Sequence, residues 1–413
     1  MFERRHRAAL LSLLVVTAAV GPAAAAVAGG DDASAKAQGD AYAGTHVGFD
    51  ATSTAIVDYR VNDEPVLERV AVQSRSKTES DAGLDVGIDL TAATDLVGAA
   101  VSVDARTETN ASLRTDSGAT LVAHDTDRGD LVVAAGESGQ YVSIDVNDSA
   151  SVENASDQRV VVTTENGTTG TFIVAGNGSV AATDGNVSAS VDEDSRLVFR
   201  TYPDGRDAAD ERQEALIANG TATAEVYVLA DENGENASDR RAEVVNYGGT
   251  TTVDVTESSN GTVEMTAERS THDGTVVITS VSDAAANGSE NLTVTVDGEA
   301  AAEASSYSDL RAATNGGETS KYLVRQSTSG EASADVLVAV NHFSERSITV
   351  EDAQQTDGTE TTTETESTTE TDAGSDETST TGGTTTSGSG PGFGLGAALA
   401  ALLAGATLLV GRR

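Results

Sequence analysis

Between Ala41 and Asp352 the chain is written in short runs whose apolar residues fall on alternate positions, interrupted by Gly, Asp and Asn. In PVLERVAVQS, Val66, Glu68, Val70 and Val72 keep a period of two. That period belongs to extended strands, because successive side chains point to opposite faces of a sheet. Val86, Ile88 and Leu90 repeat the pattern, as do Val97, Val101 and Val103. Further runs are HVGFDATSTAIVDYRV, ATLVAHDT, GDLVVAAG, GQYVSIDV, AEVYVLA, RAEVVNYG, TTVDVTES, TVEMTAER, TVVITSVS, LTVTVDG, SKYLVRQS, ADVLVAVNHF and SITVED. Valine and threonine dominate them, as strands prefer. RVVVTTENGTTGTFIVAG reads as a hairpin around Asn166-Gly167, and Tyr202-Pro203-Asp204-Gly205 reads as a turn.

Helical signals are few. Asp207 to Ala218 is rich in helix formers and is followed by Gly220, a residue suited to end a helix. A weaker candidate covers Glu299 to Ala313. The expectation is an all-β region over 41–352, with antiparallel β-sandwich layers and one or two short helices. Its length allows one elaborate sandwich or two, with a split best placed near 200–220. A β-solenoid is the alternative, although no fixed repeat supports it.

The ends of the chain differ from this body. Met1 to Ala28 carries Arg4, Arg5 and Arg7, an apolar stretch from Ala8 to Val20, and an alanine-rich end. That is the layout of a cleavable signal peptide. Residues 29–40 read as a flexible N-terminus. Residues 353–390 are dominated by Thr, Ser, Glu, Asp and Gly. Such a segment cannot offset its ordering entropy and is expected to be a disordered stalk, with a composition suited to O-glycosylation. Fully extended, ~38 residues reach about 130 Å.

Residues 391–413 read PGFGLGAALAALLAGATLLVGRR. An uncharged apolar stretch of this kind is long enough to cross a bilayer as a helix. Arg412 and Arg413 behind it place the N-terminal side outside by the positive-inside rule. Pro391, Gly392 and Phe393, the apolar helix and the terminal arginine pair resemble, in that order, the PGF-CTERM signal of haloarchaeal surface proteins. The resemblance covers these 23 residues alone. It implies an archaeosortase as partner, cleavage near the motif and a prenyl-derived lipid anchor, much as a GPI signal is exchanged for lipid. A permanent transmembrane anchor is the simpler alternative.

Charge narrows the function classes. Asp and Glu number 66 against 25 Lys and Arg, a formal net charge of -41, and lysine occurs only at positions 36, 77 and 321. A polyanion disfavours nucleic acid as a partner. It also suits molar salt, where the Debye length falls to about 3 Å and self-repulsion is screened. There is no cysteine, so disulfide frameworks and thiolate metal sites are excluded.

Eleven N-x-[ST] sequons are present, at Asn110, Asn147, Asn154, Asn166, Asn177, Asn186, Asn219, Asn236, Asn260, Asn287 and Asn291. In an exported chain each is a candidate N-glycan acceptor wherever it is exposed. His124-Asp125-Thr126-Asp127-Arg128-Gly129-Asp130 places Asp125, Asp127 and Asp130 at close spacing. They are weak calcium candidates, lacking the spacing and closing Glu of an EF-hand, and otherwise an acidic solvated loop. None of the five histidines has a partner at metal-ligand spacing. No G-x-S-x-G context accompanies His272-Asp273, and no motif implies a cofactor. Without tryptophan, a sugar-processing cleft lacks its usual aromatic platforms. The sequence therefore points to an exported, glycosylated surface protein facing outward from the cytoplasmic membrane, with a structural or interaction role. Surface-layer proteins are candidate partners. An exported hydrolase and a solute- or metal-binding receptor are the alternatives.

Overall fold

The computed structural model describes residues 41–82, 96–147, 149–230, 240–259, 261–282, 291–326 and 332–353. The signal peptide, the stalk, the sorting signal and the run 83–95 lie outside these residues, as do Asn236, Asn260 and Asn287.

The first fifteen strands precede the Tyr202 turn. They begin with β1 (Tyr42–Ala43), β2 (Val47–Ala51), β3 (Ile56–Val61) and β4 (Glu64–Ser74). After helix α1 (Arg75–Ala82) come β5 (Val101–Arg106), β6 (Asn110–Thr115), β7 (Thr120–His124), β8 (Leu131–Ala134) and β9 (Gln140–Val146). Next are β10 (Ser151–Ser156), β11 (Arg159–Thr163), β12 (Thr169–Ala175), β13 (Gly178–Thr183), β14 (Asn186–Val191) and β15 (Arg196–Tyr202). Helix α2 (Ala208–Ala218) leads into β16 (Ala222–Ala230), β17 (Arg240–Asn246), β18 (Thr251–Ser259), β19 (Thr262–Arg269) and β20 (Asp273–Val281). The last elements are β21 (Leu292–Val296), β22 (Glu299–Ala300), β23 (Ala302–Glu303), α3 (Tyr307–Thr314), β24 (Lys321–Gln326), β25 (Ala334–His342) and β26 (Glu345–Asp352).

Among the described residues four sheets result, in the orders β1-β2-β3-β4-β9-β14-β13, β10-β11-β12-β15-β8-β7-β6-β5, β17-β16-β20-β25-β24-β23 and β18-β19-β26-β21-β22. All strand pairs are antiparallel except β16–β20 and β23–β24. The all-β antiparallel reading holds, and among the described residues neither a closed barrel nor a solenoid forms. Among the described residues, strands before Tyr202 and after Ala222 share no sheet, yet both sandwiches belong to one compact unit.

Among the described residues three large buried apolar layers join the four sheets. Tyr59, Leu67, Val133, Phe172 and Phe199 fill the space between the first two. Val226, Met265, Val277, Val338 and Ile348 fill that between the last two. Val132, Ile173, Val198, Tyr227, Ile278 and Leu337, with Leu216 and Ile217 of α2 and Leu310 of α3, fill the layer between the sandwiches. Neighbouring residues thus serve different cores: Val133 faces the first and Val132 the middle one. A strand buried on both faces must be apolar at successive positions. This is why β8, β12, β15, β20 and β25 read LVVA, TGTFIVA, RLVFRTY, DGTVVITSV and ADVLVAVNH. Outer strands such as β19 keep a clean alternation, with Val263, Met265 and Ala267 inward.

Local departures have local causes. Period two would bury Glu68 beside Val66 and Val70. A register shift between Leu67 and Arg69 lets Val66 and Leu67 both turn inward and leaves Glu68 exposed. The Asn166-Gly167 hairpin forms with Gly167 at φ +94° and its amide on the Thr164 carbonyl at 3.0 Å. The Tyr202–Gly205 turn closes the same way, at 3.0 Å. α2 starts behind Asp207, whose carboxylate accepts from the amides of Ala209 and Asp210, while Asp210 answers to the Asp207 amide.

The second helix expected over 299–313 is displaced. Residues 299–303 are taken by sheet pairing, and α3 begins only after Ser306, whose hydroxyl accepts the Asp309 amide. α1 has no apolar periodicity to announce it and is held by Arg75 against Asp192 and by Lys77 against Asp81.

Candidate functional site

Ionisable side chains converge between the two sandwiches. Arg200, on β15, lies opposite Glu225, on β16, with Nη1 donating to Oε2 at 2.9 Å. Both side chains are sealed from solvent. The Tyr247 hydroxyl also donates to Glu225, and Ser280 Oγ donates to Asp335 Oδ1 at 2.7 Å. Arg128 gives Nη2 to Asp335 Oδ2 at 3.1 Å, and Gln213 of α2 adds Nε2 to the same oxygen at 2.7 Å. The Arg128 and Arg200 guanidinium groups lie over the Tyr202 ring, 5.9 and 5.5 Å from its centroid. In both ion pairs the arginine comes from the first sandwich and the carboxylate from the second.

Glu214 anchors α2 to the same seam. Its carboxylate accepts from Tyr202 Oη at 2.7 Å, Thr171 Oγ1 at 2.9 Å, Arg206 Nε and Nη2 at 2.6 Å, and Arg159 Nη1 at 3.1 Å. Burial favours its protonated form, but the hydrogen bonds from Arg206 and Tyr202 outweigh that and hold its pKa below the usual value. Asp210 behaves oppositely: burial pushes its pKa up to about 6, against the hydrogen bond from the Asp207 amide. Asp130 is raised well above the ordinary range, first by burial and then by the charge of Glu225. Burial also raises Tyr202, Tyr227 and Tyr247, keeping their hydroxyls protonated, and those of Tyr202 and Tyr247 donate to Glu214 and Glu225.

At the rim of the seam Glu243, on β17, receives His124 Nδ1 at 2.6 Å and Asn110 Nδ2 at 3.1 Å. Arg241 reaches Asp125 Oδ2 at 3.4 Å. These contacts tie the end of the β6–β7 pair to the second sandwich.

The structure relocates the acidic segment 124–130. It is not a solvated loop: Asp125, Asp127 and Asp130 are all at most 2% exposed. Asp125 is occupied by the amides of Thr45, His46 and Val47 at 2.7–2.8 Å, so it organises the β1–β2 turn. Asp130 accepts from Thr126 Oγ1 at 2.7 Å. Among the described residues no group of three or more His, Asp or Glu is arranged to hold a metal. His272 and His342 lie at one end of the β20–β25 pair, where Asp273 pairs across the ladder with His342.

The sequons divide by environment. Asn154, Asn166, Asn177, Asn219 and Asn291 are exposed, whereas Asn110, Asn147 and Asn186 are half-buried. Pro391, Gly392, Phe393, Arg412 and Arg413 lie outside the described residues. Among the described residues no helix is long and apolar enough to cross a membrane.

Arg200, Glu225 and Asp335 are not among the residues the sequence marks, though a signal exists. Arg200, Glu225 and Asp335 are lone charges inside apolar strand runs, and a buried charge requires a partner.

No family model matches the chain, and no curated protein matches it either. Among solved structures, one similar chain is a glycoside hydrolase family 81 protein from Clostridium thermocellum, at 9% identity and a TM-score of 0.32. The alignment covers 74% of this chain and 34% of that one, so this chain spans about a third of its length. A likeness of this size carries nothing about activity.

Proposed function

We propose that this chain is an exported, non-enzymatic module of the cell surface, N-glycosylated and held at the outer face of the cytoplasmic membrane by its C-terminal segment. Its role is structural or one of interaction with neighbouring surface proteins. The signal-like first 28 residues, the Thr/Glu-rich spacer and the PGF-led apolar end support the location. The observation that carries the role is where the ionisable groups meet. Arg128, Arg200, Asp210, Glu214, Glu225 and Asp335 converge between two sheets, each less than a tenth exposed, in ion pairs that Arg206 completes at Glu214. They bind one sandwich to the other and thereby make a rigid body that presents edges and loops outward.

Affinity capture of the full chain from its native membrane in molar salt, with mass spectrometry of partners and of its own C-terminus, tests the reading. Recovery with the membrane fraction and with other surface proteins is expected. Recovery from the cytoplasm would remove the location, and an intact Arg413 in the mature protein would remove the processing step. Turnover of a polysaccharide or peptide by the purified chain would replace the role with a hydrolase.

A further inference from the structure

We propose that Asn154, Asn177 and Asn219 form a cluster of N-glycan acceptors at one end of the first sandwich, and that the fold withholds Asn110 from the same modification. The inference rests on the proposed surface location and names which sequons the folded chain offers.

The distinction lies in what each asparagine does with its amide nitrogen, the atom that bonds to sugar. Asn219 caps the end of α2 and is exposed. Its Oδ1 accepts the Thr221 amide at 3.1 Å and the Thr221 hydroxyl at 2.6 Å, while its Nδ2 has no hydrogen bond among the described residues. Thr221 is the third residue of the sequon, so the motif is folded on itself with its nitrogen outward. Asn154 is exposed on the edge strand β10. Its Oδ1 accepts the Ala182 amide at 2.8 Å, again leaving Nδ2 without a partner among the described residues. Asn177 is exposed in the turn between β12 and β13, flanked by Gly176 at φ +101° and Gly178 at φ +140°. Gln158 gathers these positions. Its Nε2 donates to the Gly176 carbonyl at 2.8 Å and to the Ala218 carbonyl at 3.4 Å, the residues preceding Asn177 and Asn219. Asn154 lies four positions before Gln158, across the β10–β11 turn.

Asn110 uses its amide the other way. Nδ2 donates to Glu243 Oε1 at 3.1 Å, and that carboxylate, 7% exposed, also receives His124. Once the second sandwich is docked, β17 covers the Asn110 nitrogen.

The step is a group transfer without redox change. Nδ2 attacks the anomeric carbon of a lipid-phosphate-linked sugar at the membrane face. A C–N bond forms, the C–O bond to phosphate breaks, and the leaving lipid phosphate departs with the electron pair as one amide proton is lost. A transferase of that class acting on the folded chain finds the Asn154–Asn177–Asn219 end open and Asn110 closed.

The test is glycopeptide mass spectrometry of the full chain purified from its native host. Sugar on Asn154, Asn177 and Asn219 with bare Asn110 is expected. Sugar on Asn110, or bare Asn154, Asn177 and Asn219 in a protein glycosylated elsewhere, would overturn the assignment while leaving the surface reading intact. All eleven sequons bare would overturn the glycosylation in both. As a second readout, Asn219→Gln should remove one glycan step from the electrophoretic mobility and Asn110→Gln none; a step lost with Asn110→Gln overturns the sparing of that site.

Discussion

Arg200 on β15 and Glu225 on β16 form a buried ion pair, 2.9 Å between Nη1 and Oε2, across the seam between the two sandwiches. Neither side chain is exposed, so each charge depends on the other for what water would otherwise supply. Glu225→Ala leaves the Arg200 charge buried and should cost roughly 3–5 kcal/mol. The double variant Arg200→Met, Glu225→Leu should recover most of that loss, because an apolar pair of similar volume carries no desolvation cost. Thermal or denaturant unfolding of the wild type, both single variants and the double variant in molar salt checks this. A double variant as unstable as Glu225→Ala would mean that the seam needs the charges themselves.

The carboxyl groups of Asp210 and Glu214, one turn apart on α2, make opposite contributions with pH. The folded pKa of Asp210 is raised to about 6, so the native state holds its proton more tightly than the unfolded chain. That favours folding at low pH and is lost as pH rises from near 4 through about 6. Glu214 is lowered, so its contribution is present above its unfolded pKa and lost as pH falls through its folded one. Stability of Asp210→Asn relative to wild type should therefore improve between pH 4 and pH 7, and that of Glu214→Gln should worsen. Urea unfolding at unit pH steps, at constant molar salt, reads both slopes.

A net charge of -41 predicts salt-dependent folding. Lowering sodium chloride from molar to millimolar lengthens the Debye length from about 3 Å to beyond 10 Å and exposes the surface carboxylates to one another. Circular dichroism should show loss of β-structure over that range. An unchanged spectrum would put the stability of the fold outside electrostatic screening.

Gly170 on β12 lies under Phe199. A Cβ at that position would come within 2.7 Å of the Phe199 ring, which is buried in the first core. Gly170→Ala should cost about 1–3 kcal/mol through overpacking. Gly167→Ala meets nothing within 4 Å but must hold φ +94°, so its cost should be about 1–2 kcal/mol from backbone strain alone. Partial relief of the Gly170→Ala loss by Phe199→Leu, with no relief of Gly167→Ala, would separate the two causes in unfolding experiments.

The strand runs were readable because the information is local. Val263, Met265 and Ala267 turn one way and their neighbours the other, whatever β19 packs against. The α2 helix was readable for the same reason, through its helix formers and the Asp207 start. The helix expected over 299–313 starts later, since alanines favour a helix but ladder pairing claims 299–300 and 302–303. The seam is not legible in the sequence: Arg128 meets Asp335 across 207 positions, and a charge within a strand run has the same appearance whether it faces water or a partner. Asp125 shows the same limit, because the turn amides that occupy its carboxylate lie about eighty positions upstream.

By itself the sequence determined the class of the fold, from alternation that extended backbone imposes residue by residue. It also determined the excess of negative charge and the positions of the sequons. Only the tertiary structure decided that two sandwiches stack with an apolar layer and a set of buried ion pairs between them. It alone separated the asparagines whose amide nitrogen stays open from Asn110, whose nitrogen is turned into the seam. The reason is that burial and ion pairing belong to faces brought together from distant parts of the chain, whereas strand period and turn chemistry are settled within a few residues.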